Sequence, residues 1–397
     1  MKCLRAIIKS TCISAFQKHI RNCSSQTGAT LASAGKLEPM IDLSENPREL
    51  LEKDGLKLLL SHYGFSVRDA IVRTDTELHD VIKRFDDICY HTAPERELII
   101  CVKLLHTYKG FESPKNLTPS NIKMAVMLGW AFEYLTTTSF LTDDILDKNT
   151  MRWKKPCWHT LPHVGLTGLC DARTVSMAGF ALLRKYLRCH PFYHQLSTLL
   201  VNFQYDIYLG QSFDYVSASM FKKSRDASLL SMDHYFTTVW YKTSSPAYYI
   251  PIVAAAYLAN LDPQICSVSR DVFRTVGIHR QAQNDMWDAC GYFDNSGKTS
   301  TDFTAGVCTW ITATIMEHGS EEQKNVLLQN YGRTEPECHE KIYQLMRELD
   351  ILERYRSYTQ KVIKECQEHT KIAHPGITRI LNLIVKEHID VKESFNL

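Results

Sequence analysis

Met124-Ala-Val-Met-Leu-Gly-Trp-Ala-Phe-Glu-Tyr-Leu135 runs on through Phe140-Leu141 into Asp143-Asp144-Ile145-Leu146-Asp147, and this stretch decides the fold. Its upstream part has Glu133 as its only charge and no breaker beyond Gly129. A helix that is apolar nearly all round belongs in the interior of a protein. At helical spacing Asp143 and Asp147 are i,i+4 neighbours, and Asp144 is i,i+3 from Asp147. Carboxylates gathered at the end of a buried helix repel one another unless a cation lies between them. Hard divalent ions answer that need, Mg²⁺ above all, and they are often shared with a substrate phosphate. A solvated helix end would carry the same residues, so the rest of the chain has to decide.

The totals describe an ordinary globular chain of 397 residues, 44% hydrophobic and 23% charged. That is enough for one large core or two smaller ones. A net charge of +2 gives no bulk attraction to nucleic acid or to an anionic membrane. Thirteen cysteines, an odd number with no paired spacing, read as reduced thiols rather than a disulfide framework. No apolar run is long enough to span a bilayer. Dinucleotide, Walker, zinc-protease and serine-hydrolase motifs are missing.

Residues 1–40 differ from the rest of the chain. Lys2, Arg5, Lys9, Lys18, Arg21 and Lys36 precede the first acid, Glu38, with apolar residues interleaved. The composition predicts a mitochondrial transit peptide, a disordered basic tail with cytoplasmic residence being the alternative. From residue 41 onward the pattern is helical, with Gly, Pro, Asn and Ser clusters separating helix-length blocks. The expected fold is all-α, a single large bundle of many helices with a central substrate cavity.

A second acidic group, Gln281-Ala-Gln-Asn284-Asp285-Met-Trp287-Asp288, again lies late in an apolar run. Asn284, Asp285 and Asp288 share one helix face. Asp86-Asp87 lacks a third acid and reads as a solvated face. Two such clusters facing each other across a bundle would hold several Mg²⁺ ions and grip a diphosphate.

With these residues in place, the chain resembles the trans-isoprenyl diphosphate synthases of the farnesyl diphosphate synthase-like type. The resemblance rests on Asp143-Asp144-Ile-Leu-Asp147, then Arg152, Gly210-Gln211-Ser-Phe-Asp214 and Tyr241-Lys242-Thr243, then Asn284-Asp285-Met-Trp-Asp288, Lys298 and Thr301-Asp302. It implies an all-α homodimer binding a prenyl diphosphate through three-ion Mg²⁺ chemistry, with Mn²⁺ as substitute. Asp143, Asp147, Asn284, Asp285 and Asp288 carry over as metal ligands. Asp143, Asp144, Asp147, Lys242 and Asp285 carry over as the catalytic set. Arg152, Gln211, Asp214, Lys242, Thr243, Gln281 and Lys298 carry over as substrate contacts, and Trp153 and Ser139, at positions where the family has other residues, are expected to line the substrate too.

Departures from the pattern shape the functional expectation. The family holds its second substrate, isopentenyl diphosphate, with a Gly-Gly-Lys-x-x-Arg segment, a second arginine after the first motif and a basic C-terminus. Here the segment reads Tyr90-His-Thr-Ala93-Pro-Glu95-Arg96, the arginine is Trp153, and the tail ends Glu393-Ser-Phe-Asn-Leu397. A family lysine is Val307, and the aromatic floor before the first motif is Thr138-Ser139. Losing two or three cations near a diphosphate weakens its binding by orders of magnitude. The expectation is therefore a terpene synthase that ionises one prenyl diphosphate, farnesyl diphosphate, and releases a sesquiterpene. Trp130, Phe132, Phe140, Trp153 and Trp287 are candidates for steering the cation. The alternatives are a prenyltransferase making farnesyl or geranylgeranyl diphosphate, and an inactive synthase subunit or scaffold.

Overall fold

The computed structural model describes residues 47–71, 75–92, 98–152, 155–291 and 301–389. The leading segment 1–40, Arg96, Trp153, Lys298 and the last eight residues lie outside the described residues.

Short helices α1 (Pro47–Lys53), α2 (Gly55–Ser61) and α3 (Tyr63–Ala70) lead into α4 (His79–Thr92) and α5 (Ile99–Phe111). Three long helices come next: α6 (Pro119–Leu146), α7 (Gly168–Leu187) and α8 (Tyr193–Ser224). Beyond them lie α9 (Met232–Val239), a π-helical segment (Trp240–Tyr249), α10 (Ile250–Leu258), α11 (Gln264–Ser267) and α12 (Arg270–Ala289). The chain closes with α13 (Thr301–Ala305), α14 (Trp310–His318), α15 (Glu321–Asn330), α16 (Pro336–Glu348), α17 (Ile351–His369) and α18 (Pro375–Ile384). Among the described residues the extended structure is a two-residue hairpin, β1 (Met151–Arg152) against β2 (Lys155–Pro156). No helix among them is long and apolar enough to cross a membrane. The all-α expectation holds.

α6 is the apolar helix the sequence foretold. Thr118 caps its start by accepting from the Asn121 backbone N–H at 3.3 Å, and Pro119 takes the first turn, where its missing donor costs nothing. From Ala125 to Leu135 every residue is buried. Its one acid there, Glu133, accepts from the Cys101 backbone N–H at 3.1 Å, and the Trp130 indole N–H donates to Leu59 O at 3.1 Å. Buried polar groups are thus bonded, as they must be. Trp130 and Phe132 are 1% and 0% exposed, and Phe132 packs edge-on against Phe203. Both are core and do not wall a cavity, which corrects their expected role in steering a cation.

The core falls into two clusters. The larger gathers α2 to α8, α10 and α18. The smaller gathers the end of α8, α9 and the helices from α13 to α17. α12 belongs to both: Val272, Phe273 and Val276 enter the first, and Ile278, Ala282, Met286 and Trp287 the second. The second acidic motif therefore sits on a helix that, like α8 and α17, contributes to both cores.

The solvated-face reading of Asp86-Asp87 needs correction. Asp87 is exposed and paired with Lys83 at 2.7 Å. Asp86 is half-buried, one carboxylate oxygen is buried without a partner, and burial with the Asp87 charge pushes it up to about 6.

Candidate active site

The last turn of α6 delivers the first motif. Asp144 is 3% exposed, and its carboxylate takes Arg152 Nε at 2.9 and 2.8 Å, Arg152 Nη2 at 2.7 Å and Asn149 Nδ2 at 2.9 Å. Burial works against the Arg152 charge, yet the Asp144 bonds hold its pKa above the usual arginine value. Asp144 is thereby committed to fixing Arg152, whose guanidinium also covers the Phe140 ring at 5.0 Å. Asp143 and Asp147 remain on the open side. Asp143 Oδ1 accepts from Gln211 Nε2 at 2.8 Å, and Asp147 Oδ1 accepts from the Tyr215 hydroxyl at 2.5 Å. Gln211 and Tyr215 are i,i+4 on α8, matching the spacing of the two acids on α6. A cleft opens beside Arg152, walled by His91, Phe140, Lys155 and Trp158.

Across from this lies the π-helical segment with Lys242 and Thr243. Pro246 within it has no N–H to give, and π-helical turns are frequent at functional sites. Two glycines let it sit where it does. A Cβ on Gly210 of α8 would fall 2.4 Å from Lys242 N, and one on Gly277 of α12 would fall 2.5 Å from Ser244 Cα. Held in this way, Lys242 Nζ pairs with Asp214 Oδ2 at 2.7 Å. Burial would lower the Lys242 pKa, but Asp214, Asp143 and Asp302 together raise it. One ammonium thus feels an acid of the first motif and acids on the far side of the site.

The second motif is buried. Asp285 Oδ1 accepts from Gln281 Nε2 at 2.9 Å, and Oδ2 accepts from the Trp310 backbone N–H at the start of α14 at 2.8 Å. Gln281 Oε1 in turn accepts from the Thr243 hydroxyl at 3.0 Å. Burial pushes Asp285 up to about 7, with the Asp214 charge adding to it. Asp288 accepts from the Thr301 hydroxyl at 3.0 Å and the Asp302 backbone N–H at 3.1 Å, so it caps α13. Asn284 is half-buried beside them. Asp302 is pushed well above the carboxylate range by burial and by the charges of Asp288 and Asp285.

These residues suit Mg²⁺. The donors are carboxylate oxygens, and the acids on α12 and α13 bear a repulsion that a divalent cation relieves. Among the described residues no three acids, histidines or cysteines converge tightly enough to enclose an ion. Mg²⁺ needs no such cage, since it keeps several waters and is held by one or two carboxylates plus substrate phosphates.

Most of the residues expected from sequence therefore gather at one place: Asp143, Asp144, Asp147, Arg152, Gln211, Asp214, Lys242, Thr243, Gln281, Asp285 and Asp288. Ser139 is half-buried, and its hydroxyl donates to Leu135 O in its own helix at 3.2 Å. Thr138 turns toward α7, donating to Ala172 O at 2.9 Å. Tyr215 and the burial of Asp302 escaped the sequence reading. The α8 register of Tyr215 with Gln211 was the available signal for the first; for the second there was none.

Residues 97–349 match the polyprenyl synthetase family. Among relatives, the farnesyl pyrophosphate synthase of Murgantia histrionica is 27% identical over 79% of this chain and 76% of its own length. That of Kluyveromyces lactis is 28% identical over 74% of this chain and 84% of its own. A bifunctional chrysanthemol synthase of Tanacetum cinerariifolium is 29% identical over 76% and 77%. In fold, the chain superimposes on farnesyl diphosphate synthase of T. brucei in complex with risedronate, with TM-score 0.75, 19% identity, and 87% of this chain and 100% of that one covered.

The relatives overturn the expectation of a one-substrate terpene synthase, because those of Murgantia histrionica and Kluyveromyces lactis are named farnesyl pyrophosphate synthases. That expectation weighed cations missing from their usual positions in the sequence.

Proposed function

Because the chain belongs to the polyprenyl synthetase family, we propose that it is a Mg²⁺-dependent prenyltransferase that joins an allylic prenyl diphosphate to isopentenyl diphosphate. The allylic C–O bond breaks, with the diphosphate leaving as an anion. The acceptor alkene forms a new C–C bond to the allylic carbon, and a proton leaves the adjacent acceptor carbon. The product is farnesyl or geranylgeranyl diphosphate.

The observation that carries this reading is Lys242, an ammonium within electrostatic reach of Asp143, Asp214 and Asp302 at once. A site built in this way stabilises a departing trianion. Mg²⁺, bound by Asp143, Asp147, Asp285, Asp288 and Asn284, would neutralise the leaving diphosphate. Asp144 keeps Arg152 in place for the same diphosphate, while Gln211 and Tyr215 fix the orientation of Asp143 and Asp147. Gln281 couples Thr243 to Asp285, so the cation-bearing segment and the second motif keep a common register.

Purified protein with Mg²⁺, geranyl or farnesyl diphosphate and labelled isopentenyl diphosphate should give a labelled longer prenyl diphosphate. Release of an unlabelled hydrocarbon with no label consumed would refute the reading.

The same reading includes a homodimer. α8 shows Val201, Tyr205, Leu209 and Phe213, one per turn, with Val216 and Met220, all exposed. An apolar stripe of that length calls for a covering surface, and a second copy supplies one by symmetry. Sedimentation at micromolar concentration should give twice the chain mass; a monomer would sink this part alone.

A further inference from the structure

α12 carries Phe273, Val276, Arg280, Asn284 and Trp287 at three- and four-residue spacing, on one face. Phe273 and Val276 are buried and Trp287 nearly so, so the face looks inward and bears one guanidinium. Arg280 is half-buried. Its Cζ lies 4.5 Å from the Trp287 ring centroid, and Nη1 donates to Gln283 Oε1 at 2.8 Å. Among the described residues no carboxylate comes within ion-pair distance of it.

A second basic side chain stands close by. Lys103 on α5 is 2% exposed, donates to Ala247 O of the π-helical segment, and lies 3.5 Å from the Tyr248 ring centroid. Burial lowers its pKa well below the usual lysine value; Glu133 opposes this, and the Arg280 charge adds to the lowering. Inward-facing charges are ordinarily paired, and the Arg280 guanidinium lacks an acid at ion-pair distance among the described residues. The position of that missing charge is telling. Gln281, next to Arg280, bonds both Thr243 and Asp285, so an anion on Arg280 would lie at the edge of the reaction site.

We infer that Arg280 binds the diphosphate of the acceptor, isopentenyl diphosphate. The inference rests on the two-substrate reading above. It identifies where a cation is supplied to the acceptor when the first-motif arginine position holds Trp153. Arg280 is a specificity-determining residue: a planar guanidinium offers paired donors to phosphate oxygens, and Trp287 stacking and the Gln283 amide keep it aimed.

The test uses the full chain with Arg280→Gln and Arg280→Lys, in two arms. In steady state, Arg280→Gln should raise KM for isopentenyl diphosphate about ten- to hundredfold, the scale of one charge-assisted hydrogen bond. KM for the allylic substrate should stay within about twofold. Arg280→Lys should fall between. By calorimetry without Mg²⁺, inorganic pyrophosphate should bind Arg280→Gln about tenfold more weakly than the parent. An unchanged acceptor KM, or equal rises for both substrates, would overturn the assignment. A weaker pyrophosphate affinity with unchanged acceptor KM would also overturn it, marking a site for released diphosphate. If the parent consumes no isopentenyl diphosphate, the two-substrate reading fails, and the pyrophosphate arm still decides whether Arg280 is an anion site.

Discussion

The acidic end of α6 and the acidic stretch of α12 use the same residue type, at i,i+4 in one and i,i+3 in the other, yet they are built in opposite ways. Asp143 and Asp147 stand at an open helix end, oriented by Gln211 and Tyr215 from one neighbouring helix. Asp285 and Asp288 are 3% and 4% exposed and are anchored to the backbone N–H groups that open α14 and α13. The first pair can be lost without unravelling anything. The second pair is woven into the helices around it and bears the cost of burial. Exposure, more than sequence, separates a motif that only binds from one that also builds.

Substitution should show the difference most strongly at Asp143. Asp143→Ala removes a carboxylate proposed to hold Mg²⁺ and a charge that Lys242 feels; turnover should drop about a thousandfold, with unfolding midpoint unchanged or raised. Asp288→Ala should also cost activity, but in addition about 1 kcal/mol of stability, because α13 loses its cap. Steady-state assays and urea titrations of both variants measure the contrast. Equal stability of the two would erase the distinction between binding and building.

A smaller effect concerns protons. The folded-state pKa of Asp285, at about 7, lies above the unfolded carboxyl value, so this group favours folding at low pH. That contribution is complete below the unfolded pKa and declines as pH rises to about 7, after which it is gone. Mg²⁺ with pyrophosphate should reverse the preference and expel up to about half a proton at pH 7. Calorimetric titrations in buffers of different ionisation enthalpy read this directly. Heats independent of buffer would show that Asp285 is already ionised.

The two helices that carry the acids were legible in the sequence, since two apolar runs ending in acids on one helix face, far apart in one chain, are seldom both solvated helix ends. Arg152, Gln211 and Lys242 were legible through their order relative to those acids. Trp130 and Phe132 misled because aromatic side chains fill a core as readily as they wall a cavity, and position along a helix does not say which. Arg280 was passed over for a related reason: a charged residue reads as surface until its helix face is known to point inward. The same blindness produced the one-substrate expectation. Cations missing at Ala93-Pro94 and Trp153 are visible in one dimension, whereas a guanidinium brought in by α12 is visible only in three.

Gly210 and Gly277 leave the π-helical segment in backbone contact with α8 on one side and α12 on the other. With no side chain as a spacer, nothing compressible separates these three backbones. The Lys242 ammonium therefore travels with them as a single rigid lever: a shift of α8 against α12 would reach the charge undamped. A methyl group at either position would act as a wedge, displacing that charge without touching a single ligand.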